Sequence, residues 1–318
     1  MKVQKNNYLK SLIVAGIFIA ATSSCKRDAL ESITGQQTGP YSSMQDFYNQ
    51  NGVQPQTFTF NADNPYIIPG NRGTQIYIPG NSLVDSVGNH ATGNVKATLK
   101  EIYNIKDMIL SNVPTTSGGS ILQSGGMFYL EFSANNIQYR PDTTIIASLP
   151  TDSVSIFQNM YVFFGVTDSS GFNWGLADTT VNYVYNNINN STFNLILDSI
   201  GYGWINCDLF YYSQPLTSVI ITPAVTSEHY ESVNLAVYLA FPSINSCMNV
   251  YSSSVQQSVT AYSIPVGMQA AAVIIGTGRV TKKPYFGFTI FTVTSGQPVN
   301  VSVVQTDEAQ IISALQTL

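Results

Sequence analysis

The sequence predicts an all-β protein, in which two β-sandwich domains follow a signal peptide and a flexible tether and a short helix ends the chain. After Gln56 the chain consists of short segments that alternate apolar and polar residues, and turn residues separate these segments. A period of two, rich in β-branched and aromatic residues, is typical of half-buried strands. Many short strands with regular turns are typical of sandwiches and barrels.

Residues 1–24 have the form of a secretory leader. Lys2, Lys5 and Lys10 precede an apolar run at 11–21, and small residues then lead to Cys25. A basic start, a short apolar run and small residues before the cleavage point define a signal peptide, and this run is too short to span a bilayer as a helix. Ordinary cleavage beside an incidental cysteine is the alternative interpretation.

The segment Thr22-Ser23-Ser24-Cys25 resembles the lipobox of bacterial lipoproteins in the looser form found in Bacteroidetes, with Thr22 where that family usually has Leu. The resemblance implies cleavage before Cys25, a diacylglycerol thioether on its sulfur and an acylated amine. Several acyl chains give stable anchoring, so the membrane is an expected partner. The expected location is the cell envelope, at the outer membrane, with the periplasmic or surface face left open.

Five Asp-Ser or Asp-Thr pairs followed by an apolar residue or Thr resemble the O-glycosylation sites of Bacteroidetes. The acceptors that this resemblance implies are Ser86, Thr143, Ser153, Thr179 and Ser199. The alternative is that these pairs are turn residues, which Asp, Ser and Thr favour because their side chains hydrogen-bond nearby backbone.

The remaining chain divides into a tether and two domains. Residues 25–56 show no sustained apolar period and are rich in Gly, Gln, Ser, Thr, Asn and Pro, which predicts a flexible tether. Residues 57–214 form the first predicted sandwich and residues 215–318 the second. Residues 105–111 predict one helical turn. Residues 307–318 predict a helix whose apolar face packs on the last sheet.

Two resemblances concern the domains. The run Ile78-Pro79-Gly80, the strand start Gly93-Asn94-Val95 and the pair Gly125-Gly126 lie within residues 73–133, which resemble the β-sandwich of ankyrins and netrin receptors. That sandwich binds spectrin or other proteins. Residues 216–304, through Val237-Tyr238-Leu239 and Ile264-Pro265-Val266-Gly267, are similar to transthyretin-like and carboxypeptidase-regulatory-like modules, which are usually non-catalytic. Neither resemblance supplies catalytic residues.

Composition argues against nucleic acid as a partner. Charged residues are 10% of the chain, and all 18 acidic residues follow Cys25. Beyond Ser24 there are 10 basic and 18 acidic residues, a net charge of −8. Nucleic-acid binding needs basic patches that displace counterions, and the longest basic runs here have two residues.

No motif assigns a catalytic residue, a metal or a cofactor. The sequence contains no Gly-x-Ser-x-Gly elbow and no Walker loop. Glu228, His229 and Glu231 are interpreted as a solvated loop rather than a metal site, since a metal needs converging ligands. A glycoside hydrolase with two carboxylates remains the alternative function. Its candidate residues are Glu101, Glu131, Asp168 and Asp208.

Aromatic residues are the better indication of a binding site. Aromatic faces can stack on apolar surfaces of a ligand, and core packing is the alternative role. The candidates are Trp174, Trp204, Tyr202 and Tyr211. Cys207 and Cys247 could form one disulfide in an oxidising envelope or stay as buried thiols. We therefore expect a non-catalytic envelope lipoprotein that binds a protein or glycan, or serves as a structural module.

Overall fold

The computed structural model describes residues 39–151, 159–168, 171–187, 191–198, 200–201, 203–226, 232–253 and 257–318. Strands dominate these residues. The strands up to residue 210 are β1 (Gln56–Asn61), β2 (Tyr66–Pro69), β3 (Gln75–Ile78), β4 (Leu83–Val84), β5 (Asn94–Ile102), β6 (Thr116–Ser117), β7 (Ser120–Ala134), β8 (Ile137–Pro141), β9 (Ile145–Pro150), β10 (Tyr161–Asp168), β11 (Gly171–Leu176), β12 (Tyr183–Asn187), β13 (Thr192–Leu197) and β14 (Gly203–Phe210).

The later strands are β15 (Leu216–Thr226), β16 (Val233–Phe241), β17 (Ser246–Ser253), β18 (Val259–Pro265), β19 (Gln269–Gly278), β20 (Pro284–Thr292) and β21 (Gln297–Gln305). The helices of the described residues are α1 (Met44–Asn51), α2 (Ile105–Ser111) and α3 (Glu308–Leu315), and a 3-10 turn spans Pro242–Ile244. The predicted all-β fold with a short C-terminal helix is confirmed.

The strands form three sheets within the described ranges. A nine-stranded sheet has the order β1-β5-β7-β14-β10-β11, with β4, β6 and β8 attached at its side. A five-stranded sheet has the order β12-β13-β9-β3-β2. A seven-stranded sheet has the order β17-β16-β19-β20-β21-β15-β18, in which β15 and β21 run parallel. The ladders of these sheets pair no strand before residue 215 with a strand after it, so the predicted boundary marks a change of sheet.

The first two sheets face each other across a sandwich core. Phe128 and Ile205 of the nine-stranded sheet pack there with Ile76 and Phe193 of the five-stranded sheet. Side chains alternate across a strand, so the neighbours of the inner residues point to the other face of the nine-stranded sheet. That other face carries Phe163, which belongs to a second core.

The seven-stranded sheet is apolar on both faces. Val237 and Leu239 of β16 pack in the core that this sheet encloses. Tyr238 and Ala240 of the same strand pack in the second core, with the helices and the outer face of the nine-stranded sheet. The sequence predicted a half-buried β16, whereas almost all of this strand is buried. The described residues from Gly39 onward belong to one compact unit, in which both predicted domains share a core.

Each helix begins at a side chain that caps its free N–H groups, as Ser, Asn and Asp commonly do. The Ser43 hydroxyl accepts a hydrogen bond from the Asp46 N–H at 3.0 Å, and Asn104 caps α2 in the same way. Asp307 caps α3 by accepting from the Gln310 N–H at 2.8 Å. The predicted helices at 105–111 and 307–318 are confirmed, and α3 packs against β20 as expected.

The predicted tether is wrong for the residues that the structure describes. Tyr41 and Phe47 are fully buried in the second core, and residues 44–51 form α1. The polar composition of this segment misled the prediction, because α1 buries only one narrow face. The first part of the tether, residues 25–38, lies outside the described residues.

Candidate functional site

The two tryptophans have different roles. Trp174 on β11 is 1% exposed, its indole N–H donates to the Pro114 carbonyl at 2.6 Å, and its ring meets Phe172 edge-on at 5.0 Å between centroids. A buried indole normally needs a hydrogen-bond partner, and this one has it within the core. Trp174 is therefore a core residue, and the prediction that it binds a ligand is wrong.

Trp204 lies on β14 and lines a cleft of about 380 Å³ together with Phe172. Its ring packs edge-on against Tyr129 of β7, with centroids 5.6 Å apart. Gly165 on β10 lets the two cleft aromatics come together. A Cβ at Gly165 would lie 2.8 Å from the Trp204 Cβ and 2.9 Å from the Phe172 ring, so any larger residue would displace one of them.

The opposite wall of the cleft is α1 and the segment that follows it. Gln45, Asn49 and Gln54 contribute amide side chains, and Asn112 at the end of α2 contributes a fourth. Gly52 allows the ends of α1 and α2 to approach, since a Cβ there would lie 2.6 Å from the Tyr48 carbonyl oxygen and 3.0 Å from that of Leu110. Amides present both donors and acceptors, as hydroxyl-rich ligands require.

The Tyr238 hydroxyl, which is itself hydrogen-bonded to Tyr48, holds Asn112 in place. The Tyr48 and Tyr238 hydroxyls are 2.7 Å apart, and Tyr238 donates to the Asn112 Oδ1 at 2.7 Å. Asn249 donates to the same oxygen at 3.0 Å, which leaves the Asn112 Nδ2 as a donor. Burial raises the pKa of Tyr48 to about 12, so this phenol stays neutral at physiological pH. The network orients an amide without adding charge.

The charge of the cleft comes from Lys100 on β5. It is the one charged residue among those that line the cleft in the described part of the chain. No Asp or Glu of that part lines it. The cleft can accept hydrogen bonds, donate them and offer two aromatic rings, but it presents no carboxylate pair for glycoside hydrolysis.

The four candidate carboxylates lie elsewhere. Glu101 is fully buried and holds a loop through the N–H groups of Arg72 at 3.0 Å and Thr74 at 2.9 Å. Glu131 accepts hydrogen bonds from the Tyr129 hydroxyl and the Gln138 amide. Asp208 is fully buried, and burial raises its pKa well above the usual range. The side chain of Asp168 lies outside the described residues.

Tyr211 lines a second cleft, of about 390 Å³, with Tyr212, Leu216 and Pro265. A neighbouring cavity of about 290 Å³ shares Ser120 and Ser263 with it. The structure therefore separates the predicted aromatic set: Trp204 lines the first cleft, Tyr211 the second, and Trp174 the core. Tyr202 and Cys25 lie outside the described residues.

Of the two alternatives for the cysteines, the structure shows buried thiols and no disulfide. Cys207 and Cys247 are both free and fully buried, and each belongs to a different core. Cys207 faces the sandwich core, whereas Cys247 packs in the second core on the other side of the nine-stranded sheet. Burial raises the pKa of both thiols, so both act as small buried hydrophobes.

Three of the proposed glycosylation acceptors, Ser86, Thr143 and Thr179, are exposed. Ser153 and Ser199 lie outside the described residues, as do Glu228, His229 and Glu231. Among the residues that are described, no three His, Cys, Asp or Glu side chains group as metal ligands. No helix in those ranges is long and apolar enough to cross a membrane.

The α1 wall of the cleft was missed because its residues were assigned to the tether. A signal for it exists in the sequence. Ser43 followed by Asp46 is close to a capping box, and Tyr41, Met44 and Phe47 recur at helical spacing. That pattern predicts a short helix with one apolar face.

Comparisons with known proteins give no family for this chain. A scan against family models finds no match, and a search of curated proteins finds none either. Among solved structures, the chain is similar to the Bacillus anthracis TIE protein, with 10% identity and a TM-score of 0.20 over 80% of this chain. It is also similar to a β-1,2-glucanase from Parabacteroides distasonis, with 12% identity and a TM-score of 0.15 over 86% of this chain. The matches span 41% and 39% of those two chains.

Proposed function

We propose that this chain is a non-catalytic, lipid-anchored protein of the cell envelope that binds a glycan in the Trp204 cleft. The single observation that carries the binding role is the pairing of two aromatic rings, Trp204 and Phe172, with amide side chains in one concave site. Aromatic faces stack on the apolar faces of sugar rings, and amides bond their hydroxyls. The volume lies within the range of small-ligand sites, roughly 300–1,000 Å³.

The described lining supports binding rather than hydrolysis. A glycosidase needs two carboxylates on either side of the scissile bond. Glu101 and Asp208 are fully buried away from the cleft. The proposal that the chain is non-catalytic is contradicted if the purified protein releases products from a glycan and one carboxylate variant abolishes that turnover.

Trp204 provides a direct test of glycan binding. We expect glycans of a screening panel that bind to change the Trp fluorescence of the full chain. The variant Trp174→Phe should keep this response, because Trp204 then remains as the reporter in the cleft. Phe172→Ala should weaken binding about fivefold while the reporter stays in place, since an aromatic contact contributes about 1 kcal/mol.

The control for this experiment is Tyr212→Ala, which removes an exposed aromatic of the second cleft. It should leave the Trp response unchanged. Lys100→Gln tests whether the ligand is acidic, because this variant should weaken the binding of an acidic glycan more than the binding of a neutral one. If no glycan of the panel changes Trp fluorescence, or if Phe172→Ala binds as the wild type does, the Trp204 cleft is not the glycan site.

The lipid anchor rests on the leader and Cys25. We expect the mature product to start at Cys25 and to incorporate labelled fatty acid, and Cys25→Ser to release the protein from the membrane fraction. A mature N-terminus elsewhere would contradict the anchor and leave the cleft proposal intact. Protease treatment of whole cells distinguishes a surface-facing protein from a periplasmic one.

A further inference from the structure

The outer face of the five-stranded sheet carries an apolar row that crosses all five strands. Tyr183 is paired with Ile196, Ile196 with Ile146, Ile146 with Tyr77, and Tyr77 with Ile67. Paired residues of neighbouring strands point to the same face of a sheet. Tyr183, Tyr77 and Ile67 are 48%, 40% and 53% exposed. We call these five residues the tyrosine row.

Such a row is unusual on the outside of a sandwich. A sheet with one solvated face normally alternates apolar residues inside with polar residues outside, and a contiguous exposed apolar patch usually marks an interaction site. The inner neighbours of the row, including Ile68 and Ile76, already fill the sandwich core. The row is therefore not needed to close that core.

The second row of the same face contains no charge. Tyr185 is paired with Asn194, Asn194 with Ser148, Ser148 with Gln75, and Gln75 with Pro69. The Ser148 hydroxyl donates to the Asn194 Oδ1 at 2.6 Å. Tyr185 is 46% exposed, so a third tyrosine stands beside the apolar row. The ten residues of the two rows include no ionised group. Asn194 is only 6% exposed, so the second row offers the Tyr185 ring and hydroxyl and the exposed Gln75 amide.

The size of the face indicates a narrow ligand. Five strands spaced about 4.8 Å apart and about five residues long cover a few hundred Å². A stable protein–protein interface buries about 800 Å² on each partner. A second copy of the chain docked through this face alone would bury too little area. An extended chain of sugars needs only a strip.

We infer that the tyrosine row binds an extended, uncharged polysaccharide, which lies across the strands and stacks sugar rings on Tyr77 and Tyr183. The absence of charge in these two rows fits a neutral polymer, and the Tyr185 hydroxyl and the Gln75 amide of the second row are available to the polymer's hydroxyls. The inference concerns a different surface from the Trp204 cleft and does not require that cleft to bind anything.

The test is native electrophoresis of the full chain in detergent, in gels that contain a mixed-linkage β-glucan, an arabinoxylan or a galactomannan. We expect at least one of these neutral polymers to retard the wild type. The double variant Tyr77→Ala/Tyr183→Ala should lose about tenfold or more in affinity, since two ring contacts are removed. Ile146→Lys, which puts a charge in the centre of the row, should also abolish retardation.

Tyr161→Ala is the matched control, because Tyr161 is 38% exposed but lies on β10 outside this sheet. It should be retarded like the wild type. Phe172→Ala, which changes only the Trp204 cleft, should also be retarded like the wild type. The cleft proposal and the tyrosine-row proposal can therefore fail separately. The inference is overturned if none of the three polymers retards the wild type or if the double variant is retarded equally. It is also overturned if the double variant converts a dimer to a monomer without any effect of polymer.

Discussion

At the scale of single residues, Asp208 shows how burial sets the chemistry of a side chain. It is fully buried on β14, where Asn206 lies 2.5 Å from its Oδ2. Burial raises the pKa of Asp208 well above its ordinary value, although hydrogen bonds from Ser124, Asn206 and the Gly125 N–H oppose the shift. Folding therefore favours the protonated form of Asp208, and the contribution of this side chain to the stability of the fold depends on pH.

The sign of that dependence gives a prediction for Asp208→Asn. A carboxyl whose pKa is raised on folding stabilises the fold below its unfolded pKa, about 3.9, and loses that contribution as pH rises through the folded pKa. Asp208→Asn should thus raise Tm near pH 8 more than near pH 4. Thermal denaturation at several pH values measures this.

Asp85→Asn is the control, because the pH dependence of its effect on Tm should have the opposite sign. Hydrogen bonds from the Asn89 backbone and side chain lower the pKa of Asp85, which is exposed to solvent. The Asp85 carboxylate contributes to the free energy of unfolding above its unfolded pKa, and this contribution is lost as the pH falls through its folded pKa. If Asp208→Asn shifted Tm equally at all pH values, the carboxyl would titrate in the fold as it does in the unfolded chain.

Glu101 is a carboxylate whose contacts hold other parts of the fold in place. Its oxygens accept from the N–H groups of Arg72 and Thr74 and from the Gln56 amide at 2.7 Å. Glu101→Gln replaces an acceptor by an NH₂ group that faces donors, so we expect a loss of about 1–3 kcal/mol in the free energy of unfolding. Urea denaturation measures it. Glu131→Gln, at a half-buried position, should cost less than about 0.5 kcal/mol; equal losses would contradict this role for Glu101.

At the scale of elements, α1 is the segment on which the cleft depends most. Its eight residues are too few to be a stable helix alone, so burial of Phe47 and Tyr48 and the cap at Ser43 must hold it. Because α1 supplies one wall of the cleft, its stability and the shape of the candidate site are linked.

We expect Ser43→Ala to lower the free energy of unfolding by about 1 kcal/mol, because the Asp46 N–H loses its acceptor. Ser43→Asp should remain close to the wild type, since Asp also caps helices well. Chemical denaturation compares the two. An equal loss in both variants would show that the hydroxyl packs rather than caps.

At the scale of the whole molecule, we expect the second core to make the two predicted domains unfold together. Phe163 of the first domain, helices α1 to α3 and Tyr238 of the second domain all contribute to it. The Tyr238 hydroxyl also bridges Tyr48 and Asn112. Neither domain could lose its structure without exposing this shared apolar surface.

Hydrogen exchange in increasing urea should therefore show β7 and β14 losing protection together with β16 and β19. Tyr238→Phe removes the bridging hydroxyl and should lower the protection of both groups by the same amount. If β16 and β19 opened at lower urea than β7 and β14, the two domains would unfold independently.

The sequence determined the features that depend on local pattern. Alternation predicted that the chain after Gln56 consists mainly of strands, because a period of two is read directly along a strand. The apolar face of residues 307–318 predicted α3 in the same way. The leader and Cys25 are also local signals, and what they imply stays a prediction.

Only the tertiary structure decided which residues share a site. Trp174 and Trp204 look alike in the sequence, but one strand places its indole in the core and the other places it in a cleft. The tyrosine row is made of residues from five separate strands, and its register depends on which strands pair. Periodicity fixes the face that a side chain points to within its own strand, whereas pairing and packing between distant segments fix what lies beside it.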